Sequence, residues 1–358
     1  MPGERFNILR FLLNHSTLVL FIAVFALFGL SSPRTPVEIA GITIDFPRFW
    51  SPENIFNMVK QAAVFAGIIG VGMTFVLLTA GIDLSVGSNM YLSVVVSGLL
   101  MRSIGLEIIP ALLVSLMVGT LFGAFNAFCI LRLKIIPFMT TLATLVIGRG
   151  LGTFLTDSQQ IDFPERMNAF GQTLVFGVIP MPIVVFGIVV LVSWYILSRT
   201  PFGRQVYAVG NDIEAAKKAG INTDRTLAMV YIISGFCAGL AGFILASQLG
   251  GRVDRSFAET REFDAIAAAV LGGTSLFGGA GNVFGTVIGA ILIQMVGTGL
   301  QFNLVNLYLQ PMARAFVIFL AIFFDSLREA NMKKLKRRFI RPVEADAPPE
   351  PQPSSAGD

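Results

Sequence analysis

The chain has 358 residues, 54% of them hydrophobic and only 13% charged, with 26 basic and 22 acidic residues. A soluble domain carries about 25% charged residues, so this chain cannot cover itself with polar surface and belongs in a bilayer. Its two cysteines, Cys129 and Cys237, sit in apolar runs, and its single histidine, His15, has no partner, which leaves no disulfide framework, metal spacing or histidine-based catalytic pair.

Hydrophobic runs of about 20 residues suffice to cross the hydrocarbon core. Ten such runs fit the chain, at about 12–31, 61–80, 85–101, 108–131, 136–155, 178–198, 226–248, 263–280, 283–300 and 310–327. The expected fold is therefore all-α, a polytopic membrane protein with about ten transmembrane helices. The first run, behind a basic flank, is of span length and lacks a small-residue cleavage site. It reads as a helix rather than a signal peptide. With the N-terminus inside, sixteen basic residues fall on the cytoplasmic side and eight outside. This bias places both termini in the cytoplasm.

Two outer segments, 32–60 and 156–177, mix proline, aromatics and charges of both signs. They read either as solvated connectors or as a docking surface for an extracytoplasmic partner. Residues 1–330 form the transmembrane domain, and 331–358 form a basic and then acidic, proline-rich tail that is expected to be disordered at its end.

Four stretches carry more information. In "LLTAGIDLSVGS", 77–88, Asp83 is flanked by Gly81 and Gly87 and falls at a turn between two apolar runs. It reads as a cap for the following helix or, if it lies in the membrane, as an ion or solute site. In "IIPFMTTLATLVIGRGL", 135–151, Thr140, Thr141 and Thr144 share a helix face and offer hydroxyls to a solute or to a neighbouring helix. Arg149, late in that run, is expected to snorkel to the interface or to pair with an acid. Asn89, Asn126 and Gln294 are interior-facing polar groups of the same two kinds. In "VLGGTSLFGGAGNVFGTVIGA", 270–290, seven glycines include Gly272 and Gly273, and Thr274 and Ser275 lie among them. Close packing accounts for Gly285 and Gly289, while 272–281 demands a break or sharp reversal.

The fourth stretch, "GRQVYAVGNDIEAAKKAGINTDR", 203–225, is a charged island between two apolar runs. Asn211 followed by Glu214 resembles a capping box. "DIEAAKKA" favours helix, Gly220 supplies the stop, and two lysines suit the last turn. A capped helix of this kind is more than a turn requires, so something docks there.

Together, "TAGIDLSVGS", "PFMTTLATLVIGRGL", "GRQVYAVGNDIEAAKKAGI" and "EFDAIAAAVLGGTSLFGGAGNVFGTVIGA" resemble, in order, the permease subunits of bacterial sugar-type ABC importers. The resemblance spans roughly 50–330. It implies a bacterial inner-membrane protein paired with a second permease, identical or related. A cytoplasmic ATPase that uses ATP and Mg would drive it, and a periplasmic binding protein would deliver a monosaccharide or similar polyol. It also implies that 211–220 is a coupling helix, with Gly210, Asn211, Glu214, Ala215, Ala216 and Gly220 at the matching positions. Asn89, Asn126, Thr140, Thr141, Thr144, Thr274, Ser275 and Gln294 are then candidates for the translocation path. Gly81, Asp83, Gly87, Gly272 and Gly273 are then turn and cap residues. The chain has no G-x-x-x-x-G-K-[ST], so a P-loop for nucleotide must lie on another chain. No cofactor, metal or nucleic acid is expected on this one; its other contact is membrane lipid. The competing reading is an ion-coupled secondary transporter in which Asp83 or Asp264 carries a proton or cation; a membrane enzyme or scaffold is a third.

Overall fold

The computed structural model describes residues 16–39, 42–313, 315, 316, 319 and 323. Among these, six helices are long and apolar enough to cross a membrane: α2 (Pro52–Leu78), α4 (Ile108–Leu131), α5 (Pro137–Leu155), α7 (Met181–Arg199), α10 (Thr223–Gln248) and α12 (Val283–Phe302). Between and before them lie α1 (Ser16–Ser31), α3 (Val86–Ser103), α6 (Glu165–Gln172), α8 (Pro201–Asn211), α9 (Ile213–Lys218) and α11 (Arg261–Leu271). The chain is thus largely helical, as expected. The last expected run, 310–327, is described only in part, and the tail 331–358 lies outside the described residues.

Two runs have different limits from those read in the sequence. The run expected at 61–80 begins at Pro52, where Ser51 Oγ accepts from Asn54 N and proline occupies the first turn. Both are favourable at a helix start. A π-helical turn at Ala63–Gly67 interrupts it. The run expected at 263–280 is helical only to Leu271. Gly273, Gly278, Gly279 and Gly281 all have positive φ, so the chain reverses there and re-enters as α12.

The tightest helix crossing is α4 on α10. Gly119 and Gly123 of α4 face Gly235 and Gly239 of α10, and a Cβ on any of the four would strike the opposing backbone. Small residues four apart on both partners permit this approach. Ser115 Oγ fastens it by donating to the Gly239 carbonyl at 2.9 Å. Gly285 and Gly289 of α12 play the same part against Gly272 and Ala268 at the end of α11.

The outer segments carry structure that hydrophobic periodicity did not suggest. Strands β1 (Arg34–Ile39) and β2 (Ile42–Pro47) form an antiparallel hairpin. Strand β3 (Ile161–Asp162) pairs with β6 (Arg252–Val253), and β4 (Leu174–Val175) pairs with β5 (Ile179–Pro180). The β3–β6 pairing ties the second outer segment to the loop that follows α10.

That loop repeats a turn geometry found earlier in the chain. Asp83–Leu84–Ser85 precedes α3, and Asp254–Arg255–Ser256 precedes α11. In each case the first carboxylate accepts from the serine N–H and hydroxyl, at 3.0 and 2.6 Å in the first and 2.9 and 2.7 Å in the second. Each interrupted segment follows a long helix, α2 or α10, and precedes another packed against it, α4 or α12. The two long helices pack antiparallel: Gly72 faces Ser234 and Cys237, whereas Gly81 reaches back to Tyr231.

Candidate functional site

The two interruptions meet. Gly87, in the first turn of α3, lies against the Glu262 carboxylate and the Ala258 carbonyl, with no room for a side chain. The level is set two residues on: Asn89 Nδ2 donates to the carbonyls of Gly119 and Gly235, near the middles of α4 and α10. The start of α3 and the start of α11 therefore lie deep in the bundle, reached by the chain from opposite ends.

Asp83 is almost fully buried, with 1% of its surface exposed. Its second carboxylate oxygen accepts from Ser234 Oγ at 2.8 Å, and Ser85 Oγ in turn accepts from Asn126 Nδ2 at 2.8 Å. The carboxylate therefore both closes the turn into α3 and fastens that turn to α10 and α4. Three donors on two oxygens offset much of the cost of burying it.

Half of the polar path candidates, Asn89, Asn126, Thr141 and Gln294, bond across to another element. Asn89 spends its amide on two backbone carbonyls and accepts from Ser93 Oγ at 3.0 Å. Thr141 Oγ1 donates to the Ile82 and Pro137 carbonyls, and Thr144 Oγ1 to the Thr141 carbonyl. Gln294 Nε2 links α12 to Gln61 Oε1 on α2 at 2.6 Å. Ser275 closes the glycine reversal, its N–H donating to the Ala280 carbonyl and its Oγ accepting from Phe277 N. Asn126 Oδ1, Thr140 Oγ1 and Thr274 Oγ1 are buried with no hydrogen-bond partner among the described residues. These three retain unspent polar capacity.

Arg149 forms no salt bridge among the described residues. Its guanidinium donates to the carbonyls of Phe257 and Arg255, at 2.5 and 3.1 Å, and lies 5.1 Å from the Tyr91 ring. It pins the outer loop at the point where Ala258 and Thr260 take positive φ. Next to it, Arg261 pairs with Asp264 at 2.6 Å and covers the Phe65 ring at 4.4 Å. Above α11 opens a cavity of about 540 Å³ whose walls include Phe65, Gln160, Arg252, Asp254, Glu259 and Arg261. Glu262, buried with one oxygen unpartnered, and the Asp254 turn were both missed in the sequence. The signal is present there: the Asp-x-Ser pattern occurs twice, each time ahead of an interrupted segment.

The charged island is two helices. α8 ends at Asn211, and Asp212 Oδ1 then accepts from Glu214 N and Ala215 N, at 2.9 and 3.0 Å, to start α9. Asp212, not Asn211, is thus the cap. An extended Asp212 (φ −162°, ψ 109°) breaks the helix at that point, and Gly220 (φ +82°) ends α9. Ile213, Glu214, Ala215, Lys217 and Lys218 face outward, whereas Ala216 is buried and unavailable to a partner. Gly210 abuts the Leu78 carbonyl at the end of α2, and the same carbonyl accepts from Gly279 N at 2.9 Å. Tyr207 OH donates to the Gly281 carbonyl at 2.8 Å. The exposed helix is thereby attached to the end of α2 and to the glycine reversal.

A bundle of apolar spans with two interrupted helices meeting inside it, and a capped helix presented outside it, defines a multi-pass membrane transport protein. Residues 54–324 match the family model described as branched-chain amino acid transport system / permease component, and the chain belongs to that family. It is 38% identical over 328 residues to the ribose import permease protein of Haemophilus influenzae, covering 90% of this chain and 96% of the relative. It is 32% identical over 332 residues to the autoinducer 2 import system permease protein of Photorhabdus laumondii, covering 92% and 95%. The D-allose transport system permease protein of Escherichia coli is 33% identical over 323 residues, with 90% and 94% covered. No solved structure matches the chain. The resemblance drawn from the four motifs is borne out: these relatives are import or transport-system permeases.

Proposed function

We propose that the chain is the membrane-spanning permease subunit of an ATP-driven importer for a monosaccharide or similar polyol. In this reading it crosses the inner membrane about ten times with both termini in the cytoplasm. It pairs with a second permease, receives its solute from a periplasmic binding protein, and is driven by a cytoplasmic ATPase that uses ATP and Mg. Relatives named for ribose and D-allose support a hydroxylated solute. The hydroxyls of Thr140 and Thr274 and the amide oxygen of Asn126, left without a partner among the described residues, suit one.

The observation that carries the reading is the exposed, capped α9 joined through Asp212 to α8, which abuts Leu78 and bonds to Gly281. Force applied to α9 by an ATPase would reach the end of α2 and the reversal between α11 and α12. It would move the two interrupted segments relative to each other as a rigid-body switch. The test is Glu214→Lys and Ala215→Trp, measured for uptake, membrane insertion and ATPase association. Both variants should insert normally and lose uptake; unchanged uptake with unchanged ATPase association refutes the docking role. Uptake that persists without the ATPase and collapses with a protonophore would instead establish ion-coupled transport.

A further inference from the structure

The glycine crossing of α4 and α10 has a consequence at one end of the bundle. Gly119, Gly123, Gly235 and Gly239 bring the helices into backbone contact. Beyond Gly123 and before Tyr231 the side chains no longer fill the space between them. A groove of about 500 Å³ opens there, walled by Ala124, Ala127, Phe128, Ala228 and Ile232 and closed at its mouth by Arg132, Asn222, Asp224 and Arg225. The alanines keep it open and Phe128 extends an apolar edge outward, 53% exposed. Arg132 is the C-cap of α4, and Arg225 is in the first turn of α10. Among the described residues neither guanidinium has a hydrogen-bond or ion-pair partner. Asn222 Oδ1 is already engaged by Arg225 N at 2.9 Å.

An apolar slot between two membrane-crossing helices, with two unpaired guanidinium groups where those helices leave the bilayer, matches a phospholipid in both halves. The slot takes acyl chain, and a guanidinium fork matches phosphate geometry. Asp224 reduces the charge at the mouth to a net +1, counted from two arginines and one aspartate. The positive end of the α10 dipole and the negative end of the α4 dipole meet at this mouth and offset each other, so the arginines supply its net charge. We propose that this groove holds one anionic phospholipid, with its phosphodiester between Arg132 and Arg225 and an acyl chain against the alanine-lined wall. The proposal rests only on α4 and α10 crossing the membrane, so it stands or falls separately from the solute and the ATPase.

The experiment uses the full chain, purified in detergent, stripped of lipid, and titrated with dioleoyl phosphatidylglycerol or dioleoyl phosphatidylethanolamine under native mass spectrometry. The wild type should retain one phosphatidylglycerol under activation that removes phosphatidylethanolamine. R132Q/R225Q should bind it roughly 30-fold more weakly, R132K/R225K, which keeps the charge without the fork, should bind between that variant and the wild type, and Ala228→Trp should block the groove to either lipid. Equal retention of the two lipids by the wild type overturns the anionic assignment. Unchanged phosphatidylglycerol binding in R132Q/R225Q or in Ala228→Trp overturns the site. If R132Q/R225Q does not fold, Ala228→Trp decides: wild-type retention of phosphatidylglycerol by that variant overturns the site, and loss of it supports the site.

Discussion

The turn at 79–85 and the loop at 254–260 use the same local device in opposite surroundings. In both, an aspartate carboxylate accepts from the N–H and hydroxyl of a serine two residues on, and an interrupted helix begins soon after. Asp83 then spends its second oxygen on Ser234 and is sealed between α4 and α10. Asp254 is exposed and borders the outer cavity, and its loop is held instead by Arg149 acting on two carbonyls. One interruption is therefore a fixed joint in the bundle. The other is a segment held at its start by the β3–β6 pairing and further on by Arg149, with residues in the left-handed region on either side of Glu259.

Substitutions can sharpen or break this contrast. Asp83→Ala removes the acceptor for three buried donors and should destabilise the detergent-purified chain by on the order of 3 kcal/mol. Asp83→Asn keeps the shape and part of the bonding and should retain most uptake; complete loss with normal assembly would make Asp83 a functional acid. Gly87→Val drives the two interruptions apart, and overpacking of this kind costs about 1–3 kcal/mol. It should lower the melting temperature far more than Gly150→Val, which meets open space. Arg149→Gln should leave the bundle folded but free the outer loop, read as faster labelling of a cysteine placed at Ser256; an unchanged labelling rate would remove Arg149 as the fastening. The smallest effects are expected at exposed ends. Asp254→Ala should cost well under about 1 kcal/mol, and Asp212→Ala about 1 kcal/mol of local helix stability. Equal losses at Asp83 and Asp254 would erase the distinction between joint and loop.

Parts of this site are legible in the amino-acid sequence alone. The glycine run at 270–290 demands a reversal, and the chain does reverse there. The island at 203–225 announces an exposed, bounded helix, although its cap is one residue later than the Asn211–Glu214 spacing suggests. A capped start fits that stretch equally well in either register. The choice falls to α8, whose helix continues through Asn211 and leaves Asp212 extended. Arg149 is visible as an unusual charge in a span, but its actual partners are backbone carbonyls more than a hundred residues away, and carbonyls have no sequence signature.

What the sequence by itself determined is the kind of solvent and the positions of breaks. Apolar runs of fixed length require helices in a bilayer because every backbone polar group must be satisfied within the segment. Glycines and Asp-x-Ser turns mark where that rule is suspended. What only the tertiary structure decided is which polar groups are spent and which are free. Asn89, Thr141 and Gln294 read in the sequence just as Thr140, Thr274 and Asn126 do, yet the first three hold neighbouring elements and the others are left with unspent polar atoms. A side chain's type fixes what it can donate or accept, but the partner that satisfies it comes from a distant segment, and only packing brings that segment within reach.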